Sequence, residues 1–160
     1  MELKIRKAES KDIDRITEIE LNCFPPAEAA SEEKYLWRLE NYPEYLLVGE
    51  VKGKMESVVC MIPMAAPVIT DEIFEMEKQP QGDVAAVLSV MTAPDGQKQG
   101  YAGQMLEAAS VRACELGMRS MALTCKERLI HYYSKYGFEK IGVSASVHGG
   151  AVWYDMVKKL

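Results

Sequence analysis

Residues 84–106 read VAAVLSVMTAPDGQKQGYAGQML and decide the fold class of this chain. Val84 to Met91 form an apolar run with the length of a buried strand, and a helical pattern of apolar residues begins after Gly100. The polar loop between them, residues 97–102, brings backbone N–H groups and the positive end of a helix dipole to one point. This strand, loop and helix predict a site for an anion of the pyrophosphate kind.

Two common phosphate-binding loops do not match this stretch. A Walker loop needs Gly-Lys followed by Ser or Thr, and no such sequence follows here. The dinucleotide fingerprint G-x-G-x-x-G lacks its first glycine. A glycine such as Gly100 also occurs where a chain merely reverses between a strand and a helix. The loop therefore indicates anion binding without naming the ligand.

The spacing Gln97-x-x-Gly100-x-Ala102 resembles the acyl-CoA loop of the GNAT N-acetyltransferases, whose pattern is Arg/Gln-x-x-Gly-x-Gly/Ala. The resemblance implies that acetyl-CoA is the co-substrate, with loop amides on its pyrophosphate and backbone groups of the central strand on its pantetheine arm. The residues implied as acetyl-CoA contacts are Val90, Met91, Thr92, Gln97, Lys98, Gln99, Gly100, Tyr101, Ala102, Gly103 and Lys126.

A second segment, residues 131–138, reads HYYSKYGF and resembles the GNAT pattern Phe-Tyr-Glu-Lys-x-Gly-Phe. Tyr133 takes the place of the family tyrosine, which implies that its hydroxyl protonates the departing thiolate of coenzyme A. A positioned phenol can donate a proton to a thiolate as charge develops on it. The alternative is a buried core tyrosine on a short helix.

Over nearly its full length the chain resembles, more loosely, the arylalkylamine N-acetyltransferase branch of that family. Residues 24–31, FPPAEAAS, stand where the branch has its mobile amine-binding loop. The resemblance implies that Phe24, Pro25 and Trp153 line a pocket for a flat amine, with His148 in a Gly-Gly turn at its edge. Core packing is the alternative for the two aromatic residues.

The general base is the point at which the chain departs from that branch. Vertebrate members carry two histidines on the central strand, and here those places fall on Ala86 and Leu88, which do not titrate. Glu28 is the predicted base, because insect relatives use a glutamate in the equivalent loop and the Phe24-x-x-x-Glu28 spacing resembles theirs. The alternative is a solvated surface glutamate.

The composition bounds the class of protein. The chain has 160 residues, 48% of them hydrophobic, which predicts one domain over residues 1–160. Nineteen basic and 24 acidic residues give a net charge of −5, which argues against a general nucleic-acid binder. No apolar run reaches the roughly 18 residues of a membrane span, so no membrane partner is expected. The start, MELKIRKAES, is too charged for a secretory signal, which predicts a cytoplasmic location.

Cysteine use indicates thiols rather than a metal site. The four cysteines are widely spaced and form no Cys-x-x-Cys pair, so neither zinc nor another metal is predicted. Without an export signal they are expected to stay reduced. They are Cys23, Cys60, Cys114 and Cys125.

Apolar periodicity and turn residues predict the element order β-α-α-β-β-β-α-β-α-β-β. A strand over residues 3–7 precedes helices capped by Ser10 and Ser31. A turn at residues 52–54 then joins two strands, 45–51 and 56–62. Residues 63–82 are expected to form a loop with a short helix.

The second half of the pattern begins with the helix after Gly100, which is expected to end at a glycine cap, Gly117. A strand over residues 121–125 and a short helix over 129–135 follow. Two late strands, 139–147 and 151–158, are predicted to join across residues 148–150. The expected architecture is α/β (α+β), a GNAT-like mixed, mostly antiparallel twisted sheet with helices on both faces.

Together the motifs predict an N-acetyltransferase that moves an acetyl group from acetyl-CoA to a primary amine, a small arylalkylamine, by direct attack. One alternative is an acetyltransferase that acts on a protein N-terminus or a lysine. Another, of a different class, is a non-catalytic acyl-CoA-binding regulatory module, which would be indifferent to Tyr133 and Glu28. A homodimer is left open.

Overall fold

The computed structural model describes residues 3–76 and 82–160. In these two ranges seven strands and four α-helices follow the predicted order, joined in part by 3-10 turns. The strands are β1 (Lys4–Lys7), β2 (Leu46–Val51), β3 (Lys54–Met64), β4 (Val84–Thr92), β5 (Ser120–Cys125), β6 (Glu139–Val143) and β7 (Tyr154–Lys159). The helices are α1 (Ile13–Cys23), α2 (Glu32–Asn41), α3 (Tyr101–Glu115) and α4 (Ile130–Ser134).

The described strands form one sheet in the order β1-β2-β3-β4-β5-β7-β6. Strand β1 pairs antiparallel with β2, β2 with β3, β5 with β7, and β6 with β7. Strands β4 and β5 pair in parallel over Val84–Ala86 and Ser120–Ala122. The predicted mixed, mostly antiparallel sheet is therefore confirmed.

The chain forms two compact units, and strands β3 and β4 contribute residues to both. The first unit comprises Met1–Cys60 and Ser89–Ala109, and the second comprises Met61–Leu88 and Ser110–Leu160. Each has its own buried apolar core. In the first, the core includes Ile13, Ile16, Ile19, Tyr35, Leu46, Val58, Met105 and Leu106; in the second, Met61, Ile62, Ile69, Met121, Leu123, Phe138 and Met156.

Helix α1 begins later than predicted, and Ser10 is not its cap. Residues 10–12 form a 3-10 turn with Glu9 at its N-cap position, and the Asp12 carboxylate accepts a hydrogen bond from the Glu9 N–H at 2.8 Å. Arg6 binds the same carboxylate with two hydrogen bonds. A charged acceptor binds a backbone N–H more strongly than a hydroxyl does, so the acidic residue takes the capping role.

Helix α1 ends before Pro25 and helix α2 begins after Ser31, which confirms both predicted helix ends. Phe24 leaves the helix with φ −127° and ψ 146°, because a residue before proline is disfavoured in the helical region. Ser31 caps α2, and its side chain accepts a hydrogen bond from the Lys34 N–H at 3.2 Å. The segment between the helices is therefore short and held at both ends.

Replacing Ser31 by alanine is expected to lower the free energy of unfolding by about 1 kcal/mol, because the Lys34 N–H loses its acceptor. Urea unfolding would measure the change. Ser134→Ala is the matched control, because the exposed Ser134 hydroxyl donates back to the Ile130 carbonyl of the same helix and its loss should cost under about 0.5 kcal/mol. Equal effects from the two substitutions would contradict the capping role.

Helix α3 ends as predicted at Gly117, which has φ +80°. The Gly117 N–H donates to the Cys114 carbonyl at 3.0 Å and the Met118 N–H donates to the Ala113 carbonyl at 2.9 Å. This pair of bonds is a Schellman motif, and it requires a left-handed residue at the position that Gly117 occupies. The sequence therefore predicts the C-terminal end of the helix from one residue.

The late strands are shorter than predicted, and they do not join in a tight hairpin. Residues 144–153 form a loop that contains a 3-10 turn, His148–Gly150. The Ser144 hydroxyl donates to the Ile69 carbonyl at 3.3 Å, and the Asp71 carboxylate accepts from the Ser146 hydroxyl and from the Val147 N–H. Bonds to residues 69–71 thus hold a loop where the sequence predicted the ends of two strands.

Three smaller differences concern element boundaries. Tyr45 belongs to a 3-10 turn, Pro43–Tyr45, and not to β2. Strand β3 continues to Met64, so the irregular region after it is shorter than expected. That region contains a 3-10 turn over Asp71–Phe74, and its residues 77–81 lie outside the described ranges. The predicted helix over 129–135 is a 3-10 turn followed by the shorter α4. Across residues 3–76 and 82–160, no helix has the length and apolarity to cross a membrane.

Candidate active site

The predicted anion site, residues 97–102, comprises the end of a loop between β4 and α3 and the first residues of α3. We call that loop, residues 93–100, the anion loop. Pro94–Gly96 forms a 3-10 turn at its start, and Lys98 and Gly100 have positive φ values of 65° and 80°. A backbone that enters the left-handed region near a helix N-terminus is the kind that forms anion-binding concavities. Lys98 is a non-glycine residue with positive φ, a conformation that clusters at functional sites.

The backbone at Gly100 is open. A Cβ placed there would have no protein atom within 4 Å, so a ligand can approach the main chain closely. The Gln104 N–H donates to the Gly100 carbonyl at 3.2 Å, which starts the hydrogen bonding of α3. The N–H groups of Tyr101, Ala102 and Gly103 thus precede the first donor of the helix, so the helix itself offers them no carbonyl and they can bind an anion. These residues fit the pyrophosphate of a nucleotide-like ligand.

Side chains of the anion loop bind to the protein and hold the loop in shape. Gln97 Nε2 donates to the Thr92 carbonyl at 3.2 Å, and the buried Tyr101 donates from its hydroxyl to Gln99 Oε1 at 3.1 Å. The Cys23 thiol also donates to the Thr92 carbonyl at 3.1 Å. The Thr92 carbonyl therefore accepts from two side chains of the first unit, which fixes the start of the loop against the end of β4.

A buried carboxylate lies under the start of the anion loop. The Ala93 N–H donates to the Glu56 carbonyl at 2.8 Å, and a Cβ at Gly96 would overlap the Glu56 side chain. Burial, together with the nearby Asp95 carboxylate, raises the pKa of Glu56, while Lys54 pairs with Asp95. Close packing against Glu56 thus explains why position 96 is a glycine. At position 100 the positive φ angle explains it.

The predicted amine-binding residues of the first unit lie in one turn after α1. The Glu28 N–H donates to the Pro25 carbonyl at 2.8 Å, and the Ala29 N–H donates to the same carbonyl at 3.0 Å. Phe24 and Glu28 are half-buried and Pro25 is exposed. The bond from Cys23 to the Thr92 carbonyl places the start of this turn beside the end of β4, within the first unit.

Tyr133 lies on α4 in the second unit, in a cluster of aromatic rings. Its ring meets that of Phe138 edge-on, with centroids 6.1 Å apart, and that of Tyr132 at 5.3 Å. Burial raises the pKa of the Tyr133 hydroxyl well above its usual value, and the neighbouring Cys125 and Tyr132 add to that rise. The hydroxyl therefore holds its proton at neutral pH, as a proton donor must.

Two other predicted residues meet in the second unit. The Lys126 Nζ lies 5.6 Å from the centre of the Trp153 ring, within the range of a cation–π contact. Trp153 is half-buried, and its carbonyl accepts from the Ser144 N–H at 2.8 Å. The backbone of His148 belongs to the turn His148–Gly150, and its side chain lies outside what the structure describes.

Sequence reasoning missed a buried polar cluster in the first unit. The Tyr35 hydroxyl donates to Glu20 Oε1 at 2.5 Å and lies 3.1 Å from Ser89 Oγ. The Arg38 guanidinium stands 5.1 Å from the centre of the Tyr35 ring, and Arg38 Nη1 lies 4.0 Å from the Cys60 thiol. One signal was present in the sequence: Glu20 lies four residues after Ile16, on the apolar stripe of α1.

The histidine, cysteine and carboxylate side chains of the described ranges bear on metal and thiol chemistry. No group of three or more His, Cys, Asp or Glu side chains there has the arrangement to hold a metal ion. The four cysteines, all within those ranges, are free thiols, and burial raises the pKa of Cys125 to about 11.

The family of acetyltransferase (GNAT) domains matches residues 4–141, which is most of the chain. The chain therefore belongs to the GNAT acetyltransferase family. The resemblance predicted from the anion loop and from the Tyr133 segment is confirmed at that level.

Individual relatives are more distant. The chain is 24% identical over 140 residues to the probable hydrolase YhcX of Bacillus subtilis (strain 168); the match covers 82% of this chain and 27% of that protein, so this chain spans about a quarter of its length. A GphF GNAT-like decarboxylase in complex with isobutyryl-CoA has a TM-score of 0.83 at 16% identity, with 98% of each chain covered. The ribosomal-protein-alanine N-acetyltransferase of Brucella melitensis has a TM-score of 0.75 at 19% identity, with 99% and 100% covered. The two structural likenesses establish the fold.

Proposed function

We propose that this chain is an N-acetyltransferase that transfers the acetyl group of acetyl-CoA to a primary amine. The observation that carries the proposal is the anion loop of a GNAT domain, with Gly100 at φ +80° and open space above its backbone. A pyrophosphate fits there, on the N–H groups of the loop and of the first turn of α3.

The chain's own residues have distinct parts in this proposal. Acetyl-CoA supplies the acetyl group as an activated thioester. Backbone groups of Val90 to Thr92 would pair with its pantetheine arm as an added strand does. The Tyr133 hydroxyl, which keeps its proton at neutral pH, would give that proton to the departing thiolate. Lys126, in the second unit, stays a predicted contact from the family resemblance.

The proposed acceptor is a small arylalkylamine. Half-buried Phe24 and Trp153 offer aromatic surfaces, and the net charge of −5 favours a cationic substrate. Pro25 and His148 complete the predicted pocket residues. Glu28, half-buried in the turn after Pro25, is the base predicted from the sequence, because only the neutral amine attacks a thioester.

A turnover assay tests the function directly. The purified protein would receive acetyl-CoA with arylalkylamines, polyamines, aminoglycosides or peptides, and the released coenzyme A would be measured. We expect release with arylalkylamines above that with the other amines. Release with peptides alone would favour a protein acetyltransferase. Tight acetyl-CoA binding without release for any amine would contradict an enzyme and favour an acyl-CoA-binding module.

Replacing Phe24 by alanine is expected to raise the Michaelis constant for aryl amines about fivefold, since an aromatic pair contributes about 1 kcal/mol. Aliphatic amines should be affected less. Steady-state kinetics with a matched aryl and alkyl amine would measure the difference. An equal effect on both amines would assign Phe24 to packing.

A further inference from the structure

Three buried side chains of the first unit form a continuous hydrogen-bonded chain. Tyr35 donates from its hydroxyl to Glu20 Oε1 at 2.5 Å, and Ser89 Oγ lies 3.1 Å from the Tyr35 hydroxyl. Because the Tyr35 proton points to the carboxylate, the Tyr35 oxygen accepts from Ser89. Both hydroxyl groups therefore donate in the same direction, toward Glu20.

The three side chains differ in how much solvent reaches them. Tyr35 is 0% exposed and Glu20 is 3% exposed, whereas Ser89 is 9% exposed. The Glu20 carboxylate is thus nearly buried, and Tyr35, between Glu20 and Ser89, is fully buried. Ser89 is the member through which a bound molecule can reach the other two.

The charged and titratable groups that face Tyr35 come from three elements: Glu20 of α1, Arg38 of α2 and Cys60 of β3. Burial raises the pKa of Tyr35 well above its usual value, Glu20 and Cys60 raise it further, and Arg38 lowers it. Tyr35 consequently keeps a proton at neutral pH. It can pass one proton on only while it accepts another.

Ser89 stands where the reacting end of the co-substrate is proposed to lie; this step rests on the proposed function. The anion loop follows the C-terminal end of β4, so a pantetheine arm that starts there runs back along Thr92 and Val90. A strand rises about 3.3 Å per residue, and Ser89 is the next residue in that direction. The acetyl group and the incoming amine would therefore meet near Ser89.

We propose that Ser89, Tyr35 and Glu20 form a proton path that takes the proton of the substrate ammonium group to a buried carboxylate. Ser89 Oγ accepts a proton from the nitrogen while it gives its own to Tyr35, and Tyr35 gives its own to Glu20. The nitrogen regains its lone pair, the Glu20 carboxylate becomes a carboxylic acid, and both hydroxyl groups end unchanged. The reverse transfers return the proton after the product leaves. Ser89 contacts the substrate, whereas Tyr35 and Glu20 are positioning residues that act through it.

The test is the pH dependence of kcat/KM for the full-length protein with its fastest amine, from about pH 5 to about pH 9. Tyr35→Phe and Ser89→Ala are expected to lower kcat/KM about 10²-fold near neutral pH. The loss of kcat/KM in these variants should become smaller as the pH approaches the pKa of the amine itself, because more of the substrate is then neutral when it binds. Acetyl-CoA affinity by calorimetry should stay within about twofold of the wild-type value.

Conservative variants separate this role from a structural one. Ser89→Thr keeps a hydroxyl and should restore most of the rate that Ser89→Ala loses. Glu20→Gln should reproduce the pH dependence of Tyr35→Phe. Tyr45→Phe deletes a partly buried hydroxyl outside the path and should keep the wild-type pH profile. Melting temperatures would show which variants are folded.

Three outcomes would overturn the path. A loss that is the same at every pH, in folded Tyr35→Phe and Ser89→Ala proteins, would leave only a structural role. A pH-dependent deficit in Glu28→Gln, with wild-type profiles in the path variants, would assign the base to Glu28. A wild-type protein that acetylates no amine would contradict the proposed function, and the path with it.

Discussion

Tyr133→Phe is expected to lower acetyl transfer about 10²-fold while acetyl-CoA binding is nearly unchanged. The substitution keeps the ring that packs edge-on against Phe138 and removes only the hydroxyl. Because burial raises the pKa of that hydroxyl, it remains protonated beyond the usual tyrosine range and is available as a donor throughout neutral pH. The thiolate would otherwise depart without a positioned proton.

The comparison requires kcat with the best amine at neutral pH and the acetyl-CoA dissociation constant from calorimetry. Tyr136→Phe is the matched control, since Tyr136 belongs to the same ring cluster, with its ring 5.3 Å from that of Tyr132. The control should keep wild-type turnover. If Tyr133→Phe also turns over normally, the hydroxyl has a structural role and water becomes the proton donor. Because the pKa of Tyr133 is raised, loss of its proton should not reduce the activity at any pH below about 10.

Gly100→Glu is expected to weaken acetyl-CoA binding at least tenfold, or by about 1.4 kcal/mol. Gly100 has φ +80°, which an L side chain adopts at a cost, and the new carboxylate would repel the pyrophosphate. A Cβ at this position meets no protein atom within 4 Å, so a steric clash inside the protein does not explain the loss.

Gly117→Glu provides a control with the same backbone. Gly117 also has φ +80° and open space around its Cβ position, but it lies at the opposite end of α3. Both variants should lose similar stability from the strained backbone, and only Gly100→Glu should lose acetyl-CoA affinity. A folded Gly100→Glu protein with wild-type affinity would remove the anion loop from the binding site.

Much of the fold was predictable from short stretches, because their structure depends on local interactions. The apolar run of β4, the glycine of the anion loop and the cap of α3 each act within a few residues. Pro25 ends α1 and Ser31 starts α2 for equally local steric and hydrogen-bonding reasons. The element order therefore followed from periodicity and from turn and cap residues. The family resemblance came instead from the motifs at residues 97–102 and 131–138, and the family match confirms it.

Predictions were wrong where distant residues compete for the same hydrogen bonds. The sequence predicts strand ends and a tight turn over residues 144–153, yet Ser144 and Ser146 bind to Ile69 and Asp71, 75 residues earlier. Ser10 is a good cap by type, but the Asp12 carboxylate bonds the Glu9 N–H and is bound in turn by Arg6 of β1. In both places a partner outside the local pattern decided the structure.

The sequence by itself determined the element order, the anion loop and the position of Tyr133, because each depends on periodicity or on a motif within a few neighbouring residues. Only the tertiary structure decided that Glu20 lies beside Tyr35, 15 residues away, and that Tyr35 lies beside Ser89, 54 residues away. No local pattern links these positions. The packing of α1 and α2 against β4 brings Glu20, Tyr35 and Ser89 together. Once buried away from water, the carboxylate and the two hydroxyl groups must satisfy one another's hydrogen bonds.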